Sequence, residues 1–349
     1  MTSTDSDGRA HDVLAWAAAT CDPEIRSWMS ALGPLSGKIA AYQLGWSEGL
    51  PSRGHHRGKS VRTALALLSA RAVGGEVAAA IPAATAVEMV HNLSLLYDDV
   101  LDGDTVRRHR AAAWQVFGPA SATRAADALL MLAFETLSAP EGDVRIAQEA
   151  SAALLDTSIQ LAVGESLDVL FERRDRVEVE ECLEMISGKT ASLFSCACRL
   201  GALYGEANEA DIDRFAAFGH DLGMAFQLVD DLLGIWGDSG VTGKPVFADL
   251  RARKMSTPVV AALASGTTAA KELARRYARP PGTDPDREGA LLAELVEEAG
   301  GRRWARRCAA EHAEAAEGWL RELGERPGAG PGTLADLRAV CALIVTRSH

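Results

Sequence analysis

Residues 95–110 read LLYDDVLDGDTVRRHR, which places four carboxylates within seven residues and then three arginines within four. Asp98 and Asp102 are four positions apart, so they share one face of the helix that the preceding apolar residues predict. Like charges at that spacing destabilise a helix, whereas Mg²⁺ is typically held by one or two carboxylates together with substrate phosphates. Arginines offer planar N–H donors that suit phosphate. The stretch predicts either a metal-bridged diphosphate site or a solvated, charged helix end.

A second acidic pair helps to decide between these two interpretations. Residues 226–238 read FQLVDDLLGIWGD, so Asp230 and Asp231 lie between apolar residues that a helix would bury. A buried carboxylate is normally hydrogen-bonded, paired with a cation or bound to a metal. Two such motifs in one chain favour a metal and diphosphate site over two solvated charge clusters.

The rest of the chain predicts an all-α protein. Its 349 residues are 48% hydrophobic but only 5% aromatic, alanine and leucine dominate, and the alternation typical of strands is absent. The main predicted helices span residues 59–73, 82–107, 119–138, 144–171, 178–204 and 208–236. Because two of them are long for a globular protein, we predict a single large helical bundle around a central cavity. A disordered segment is expected at residues 1–10 and one domain over residues 11–349.

Charge, cysteines and hydropathy restrict the partners and the compartment. The net charge of −12 argues against nucleic acid as the main partner, although a local basic pocket can still bind phosphate. The six cysteines show no metal-ligand spacing and fit a reduced, cytoplasmic protein. No apolar run long enough for a transmembrane segment is expected.

The two acidic motifs resemble those of the trans-isoprenyl diphosphate synthases, the polyprenyl synthetase family, and are similar in detail to actinobacterial geranylgeranyl diphosphate synthases. The resemblance extends over residues 42–258 and implies the isoprenoid synthase fold. It implies a prenyltransferase that condenses isopentenyl diphosphate with dimethylallyl, geranyl or farnesyl diphosphate, giving a short-chain all-trans product. In the family, two facing aspartate motifs hold three Mg²⁺ ions. The implied metal ligands are Asp98, Asp99, Asp102, Asp230 and Asp231.

The phosphate-binding residues of the family can be placed on this sequence position by position. The implied ligands of isopentenyl diphosphate are Lys59, Arg62, His91 and Arg108. The implied ligands of the allylic diphosphate are Arg107 and Lys189, and Lys244 and Lys254 match two further diphosphate-contacting lysines. Thr190, beside Lys189, and Gln227, which shares a helix face with Asp230 and Asp231, are also expected to bind substrate. The residues assigned to catalysis are Asp98, Asp102, Arg107, Lys189, Asp230 and Lys244. The residues expected to line the cavity without reacting are Gln160, Gly164 and Asp168.

Departures from the family pattern bear on the metal site and on the product. Gly234 stands where the family has a third aspartate, and Asp238 is a candidate outer acid. In the family, the side chain five residues before the first aspartate often blocks the growing chain. The resemblance therefore implies that Leu93 and its neighbour Ser94 form the floor of the cavity. Since neither side chain is aromatic, a C20 product such as geranylgeranyl diphosphate is expected, with C15 and C25 products as alternatives.

Two other functions share parts of this pattern. A class I terpene cyclase on the same scaffold needs only the allylic site, so the presence of Lys59, Arg62 and His91 favours the transferase. A non-catalytic subunit of a partner synthase would be expected to lose an aspartate motif, and here the first motif is complete. The family is usually homodimeric, so the resemblance also implies a homodimer.

Overall fold

The computed structural model describes residues 3–46, 58–138, 143–174, 176–237, 246–279, 284–326 and 330–346. These residues are almost entirely helical, which confirms the predicted fold class. The helices are α1 Ser3–Met29, α2 Gly33–Gln43, α3 Val61–Ala72, α4 Ile81–Leu101, α5 Ala113–Phe117, α6 Pro119–Leu137, α7 Val144–Phe171, α8 Val179–Ile186, α9 Ser192–Tyr204, α10 Glu209–Trp236, α11 Ala248–Arg251, α12 Thr257–Ala264, α13 Thr268–Tyr277, α14 Pro285–Glu298, α15 Gly301–Gly324 and α16 Pro331–Val345.

The contacts of the chain divide it into two compact units. Unit 1 contains Met1–Ser158, Leu193–Gly219 and Trp319–Val340, and unit 2 contains Ile159–Ser192, His220–Gly318 and Cys341–His349. Each unit combines segments that are distant in sequence. The first aspartate motif belongs to unit 1 and the second to unit 2. A single domain over residues 11–349 stays a prediction.

Helix α4 carries the first aspartate motif and packs against α6 and α3 in unit 1. Its inner face contains small apolar residues such as Ala84 and Val87, which are fully buried and permit close packing. Pro82 occupies the first turn, where its missing N–H leaves no hydrogen bond unmade. The helix ends at Leu101, because Gly103 adopts a left-handed conformation with a φ of 68°. The predicted continuation of this helix to residue 107 is therefore wrong.

One stretch of unit 1, Val77–Leu101, is long and apolar enough to cross a membrane by length and composition alone. However, 67% of its most apolar window is buried inside the fold. A buried core helix meets the same criteria, so the stretch is weak support for a membrane span. The sequence-based expectation is that no apolar run of this length occurs. One such run does occur, and it is mostly buried.

The N-terminal segment is helical from Ser3 onward, so the predicted disorder of residues 1–10 is wrong for most of that segment. Ala10 is fully buried. Arg9 donates through Nε to Asp336 Oδ1 at 2.6 Å and through Nη2 to the Gly332 carbonyl oxygen at 2.9 Å. The partners of this polar segment lie more than 300 residues away, which explains why its local composition predicted disorder.

A short antiparallel hairpin follows α4, although the sequence predicts no strand. Val106–Arg107 (β1) pairs with Arg110–Ala111 (β2), and the turn residues Arg108 and His109 have φ values of 51° and 62°. Two consecutive left-handed residues are typical of tight hairpin turns, but glycine or asparagine normally occupies these positions. Such backbone strain is concentrated at functional sites, and here it carries Arg108, a predicted diphosphate ligand.

A π-helical turn in unit 2, Ser187–Ala191, interrupts the predicted helix 178–204 between α8 and α9. π turns are rare and occur preferentially at functional sites. Helix α7 lies directly against this turn, because a Cβ added at Gly164 would be 2.8 Å from the Gly188 carbonyl carbon and from the Lys189 Cα. Gly164 therefore permits a close approach of two backbones, which the sequence pattern did not indicate.

Candidate active site

The last turn of α4 places the first aspartate motif at the C-terminal end of a helix. Asp98 is half-buried and Asp102 is exposed, and the Asp102 N–H donates to the Asp98 carbonyl oxygen at 2.8 Å. The negative end of the helix dipole lies here, so two carboxylates at this position are electrostatically unfavourable without a cation. A donor set of carboxylate oxygens fits Mg²⁺, which prefers oxygen ligands and retains several waters.

Asp99, unlike Asp98 and Asp102, is buried in an ion pair with Arg107. Its side chain is 1% exposed, and its Oδ1 accepts from Arg107 Nε at 2.7 Å and lies 2.5 Å from Arg107 Nη2. Burial raises the pKa of Asp99, and the Arg107 guanidinium opposes that rise. The arrangement connects Asp99 with the orientation of Arg107, and the role of Asp99 as a metal ligand stays a prediction.

A basic cluster of Arg62, His91 and Arg108 is built in unit 1 by α3, α4 and the hairpin turn. Arg62 Nη1 lies 3.5 Å from His91 Nε2, and the Arg62 guanidinium stacks 4.4 Å from the centroid of the Phe194 ring. A Cβ added at Gly58 would be 2.6 Å from Arg108 Nη2, so this guanidinium lies directly against the glycine, and a larger residue there would displace the flexible end of Arg108. Three of the predicted isopentenyl diphosphate ligands are thus brought together.

Burial and neighbouring charges set the protonation states in the basic cluster. Burial lowers the pKa of His91 well below its ordinary value, and the charges of Arg62 and Arg108 lower it further. His91 is therefore an uncharged imidazole at neutral pH. Burial lowers the pKa of Arg62 to about 10, against the opposing charge of Glu88, so the guanidinium stays charged. A diphosphate group offers the oxygens and the negative charge that such a cluster binds.

Lys189, in the π turn of unit 2, is held by two carboxylates of α7. Its Nζ lies 2.7 Å from Glu165 Oε2 and 2.8 Å from Asp168 Oδ2. Asp168, predicted only to line the cavity, is thus a direct partner of the predicted catalytic lysine. Glu165 is not among the predicted site residues, and its position one turn before Asp168 is the only sequence signal that could have indicated it.

The second aspartate motif combines a buried carboxylate with an exposed one. Asp231 accepts hydrogen bonds from Gln227 Nε2 at 2.8 Å and from the N–H and Oγ1 of Thr257 at 2.9 and 2.8 Å. Gln227 accepts in turn from Thr190 Oγ1 at 2.7 Å. Burial raises the pKa of Asp231 to about 6, although these hydrogen bonds oppose the rise. Asp230 is exposed, so it is the better placed of the two to bind a metal ion.

Another carboxylate fills the space beside the glycine of the second motif. A Cβ added at Gly234 would be 2.5 Å from Asp249 Cγ and 2.9 Å from Asp249 Oδ1. Unit 2 therefore presents an acid where the motif lacks its third aspartate. The sequence pattern missed Asp249 because it lies on α11, outside the motif. The alternative acid Asp238 and the predicted ligand Lys244 lie outside the described residues.

The remaining predicted residues occupy varied positions. Lys59 is exposed two residues before α3, and Lys254 is half-buried after α11. Leu93 and Ser94 are buried on α4, and Ser94 Oγ donates to the His91 carbonyl oxygen at 2.9 Å. No bulky ring is therefore present at the two positions predicted to limit chain length.

Comparisons with known proteins agree with the predicted family. The Polyprenyl synthetase family matches residues 52–294. The chain is 42% identical over 337 residues to the geranylgeranyl diphosphate synthase of Mycobacterium tuberculosis, covering 96% of this chain and 93% of that protein. It is 40% identical over 327 residues to the (2E,6E)-farnesyl diphosphate synthase of the same organism, covering 92% and 90%. The crystal structure of a polyprenyl synthetase from Streptomyces coelicolor is similar with a TM-score of 0.88 at 42% identity, covering 96% and 99%.

The helical fold and the similarity along nearly the whole chain define a trans-prenyltransferase with the isoprenoid synthase fold. The chain belongs to the polyprenyl synthetase family, whose members depend on Mg²⁺. It is a short-chain trans-prenyl diphosphate synthase of isoprenoid biosynthesis.

Proposed function

We propose that this enzyme makes geranylgeranyl diphosphate from isopentenyl diphosphate and a shorter allylic diphosphate. The basic cluster of Arg62, His91 and Arg108 is the observation that carries the proposal. It offers guanidinium and imidazole groups in one place, as a diphosphate that binds without a metal requires. A cyclase, which uses only an allylic diphosphate, has no need of such a cluster.

We assign Asp98 and Asp102 in unit 1, and Asp230 in unit 2, as Mg²⁺ ligands. The Asp231 carboxylate is fixed by the hydrogen bonds that it accepts from Gln227 and Thr257. Bound Mg²⁺ would neutralise the negative charge of the allylic diphosphate and would stabilise the charge that develops on the departing pyrophosphate. Three ions per active site, the number implied by the family resemblance, belong to this proposal.

The other site residues position the two substrates. Arg62 and Arg108 provide charge-assisted hydrogen bonds to isopentenyl diphosphate, neutral His91 donates a ring N–H, and exposed Lys59 adds a further cation. The side chains proposed to bind the allylic diphosphate are Arg107, Lys189, Thr190, Gln227, Lys244 and Lys254.

The reaction then needs little covalent chemistry from the protein. The allylic C–O bond breaks, the double bond of isopentenyl diphosphate attacks the allylic carbon, and a new C–C bond forms. A proton leaves to the released pyrophosphate. Most of the rate enhancement comes from holding the reacting carbons close together in the correct orientation.

The C20 product length is supported by helix α4. Leu93 and Ser94 are buried, without an aromatic ring that would stop chain growth early. The similarity to a geranylgeranyl diphosphate synthase at 42% identity points the same way, and the farnesyl diphosphate synthase at 40% identity makes C15 the main competitor.

The product is tested by incubating the enzyme with isopentenyl and farnesyl diphosphates and Mg²⁺, followed by phosphatase treatment and mass analysis. We expect geranylgeraniol. A second incubation replaces farnesyl diphosphate by geranyl diphosphate. If the enzyme converts geranyl diphosphate into a product that yields farnesol, but does not elongate farnesyl diphosphate, it is a C15 synthase. A C25 alcohol would identify a synthase of longer products, and a cyclic hydrocarbon would identify a cyclase. Either result would contradict the proposal.

We also propose that the enzyme acts as a homodimer in the cytoplasm. Along α7, Ile159, Val163 and Leu170 form an apolar groove and are 47–55% exposed, as expected for a surface that another molecule covers. All six cysteines are free thiols, which fits a reducing compartment. Light scattering should give a dimer mass for the wild type and a monomer mass for Val163→Glu.

A further inference from the structure

A buried carboxylate lies next to the basic cluster. Glu88, on α4 one turn before His91, is 6% exposed. Its Oε2 accepts from Thr63 Oγ1 at 2.8 Å, and its Oε1 accepts from Asn92 Nδ2 at 3.0 Å. Both donor residues are 1% exposed. These hydrogen bonds are shielded from water, so they hold the carboxylate in one orientation.

Glu88 influences the arginines of the cluster by its charge. It raises the pKa of Arg62 against the larger, opposite effect of burial, and it acts on Arg108 in the same way. Its two hydrogen bonds, however, come from α3 and α4 residues outside the cluster. Among the described residues, the buried Arg62 Nε has no hydrogen-bond partner. A buried N–H without a partner is costly, so an arriving oxyanion would relieve that cost.

We propose that Glu88 is a positioning residue for isopentenyl diphosphate, because its restrained carboxylate balances the charge of Arg62 without occupying the N–H groups that bind phosphate. Thr63 and Asn92 supply the restraint. The inference rests on the proposed assignment of Arg62 to this substrate.

The fixed position of the Glu88 carboxylate can be compared with two alternatives, a carboxylate that is free to move and no carboxylate at all. An unrestrained carboxylate beside a guanidinium forms a charge-assisted, often bidentate pair, and that pair would compete with the diphosphate. A missing carboxylate would leave buried cations without a counter-charge, which destabilises a fold. The fixed position of Glu88 avoids both defects.

The decisive variant is Thr63→Val, which removes the hydroxyl donor and keeps a β-branched side chain. The released Glu88 carboxylate would pair with Arg62, so the KM for isopentenyl diphosphate should rise about 2- to 12-fold, the range for one net hydrogen bond. The kcat and the KM for the allylic diphosphate should not change. Thr63→Ser keeps the donor and should keep the wild-type KM.

Thr85→Val is the matched control. The Thr85 side chain is fully buried on the same helix as Glu88, and its hydroxyl has no hydrogen-bond partner among the described residues. This variant should therefore leave both KM values unchanged. Circular dichroism melts of all variants verify that each one is folded.

The double variant Thr63→Val/Glu88→Gln tests the proposed cause. Glutamine carries no charge to pair with Arg62, so the rise in KM seen in Thr63→Val should disappear. A rise that persists in the double variant, or no rise in Thr63→Val itself, would overturn the role of Glu88. If the double variant does not fold, the difference between Thr63→Val and Thr63→Ser decides.

Arg62→Ala separates this inference from the proposed function. A KM rise confined to isopentenyl diphosphate supports the assignment of Arg62. Equal effects on both substrates would contradict that assignment and the inference with it. If Arg62→Ala is selective while Thr63→Val behaves like Thr85→Val, the substrate site stands and only the role of Glu88 is wrong.

Discussion

Gly164→Ala should disturb the π turn that carries Lys189. The added Cβ would be 2.8 Å from the Gly188 carbonyl carbon, whereas ordinary van der Waals contact begins at 3.4 Å. The backbone nitrogen of Lys189 would be closer still, so the backbones of α7 and the turn would have to separate by more than the roughly 0.6 Å between these two distances. Because the neighbouring atoms are backbone, no flexible side chain can absorb the change.

The expected cost of Gly164→Ala follows from two opposing effects. Overpacking costs about 1–3 kcal/mol, and replacing glycine by alanine inside a helix gains about 1 kcal/mol. Gly8→Ala is the control, because it makes the same replacement in α1 with nothing within 4 Å of the new Cβ. The two variants should therefore differ in free energy of unfolding by about 1–3 kcal/mol, with Gly164→Ala the less stable.

Urea denaturation measures this difference, and steady-state kinetics measure its consequence. Displacement of the turn moves the Lys189 ammonium away from Glu165 and Asp168, so we expect a higher KM for the allylic diphosphate in Gly164→Ala. The Gly8→Ala variant should keep the wild-type KM. Equal stability of the two alanine variants, with unchanged kinetics in both, would refute the close contact between α7 and the π turn.

Three further predictions concern the metal site, the product and pH. Asp98→Ala and Asp102→Ala should each lower turnover by several orders of magnitude at saturating Mg²⁺ without unfolding the chain; near-wild-type turnover would remove them from the metal site. Leu93→Phe should shift the product toward C15, since overpacking of about 1–3 kcal/mol changes product ratios by about one to two powers of ten, while Leu93→Ala should permit C25. The hydrogen bond to Asp221 raises the pKa of His312 from 6.5 to about 9. Its stabilising contribution is complete below pH 6.5 and is lost as the pH rises through 9, so urea unfolding of His312→Gln should show a loss at pH 6 and almost none at pH 10.

The local sequence pattern predicted most helices correctly. The predicted bounds 144–171 coincide with α7, and those of 208–236 differ from α10 by one residue. Helical periodicity is a property of neighbouring residues, so a single sequence contains it. The errors lie where distant contacts or single backbone conformations decide. The N-terminal segment of α1 is held by Asp336, and Gly103 ends α4 before the arginines.

The candidate site shows the same division between near and distant contacts. The sequence predicted which residues could bind diphosphate, and the structure brings Arg62, His91 and Arg108 into one cluster. The structure also shows that two adjacent aspartates of one motif differ in burial. Adjacent residues on a helix point about 100° apart, so Asp99 is buried against Arg107 while Asp98 is half-exposed.

By itself, the sequence determined the helical class, the family and the chemical types of the site residues, because these depend on composition and on spacings of a few residues. Only the tertiary structure decided which side chains meet. Asp249 lies over Gly234 from another helix, and Thr63 restrains Glu88 across two helices. Such contacts depend on how elements far apart in the chain pack together, and packing is a property of the whole fold.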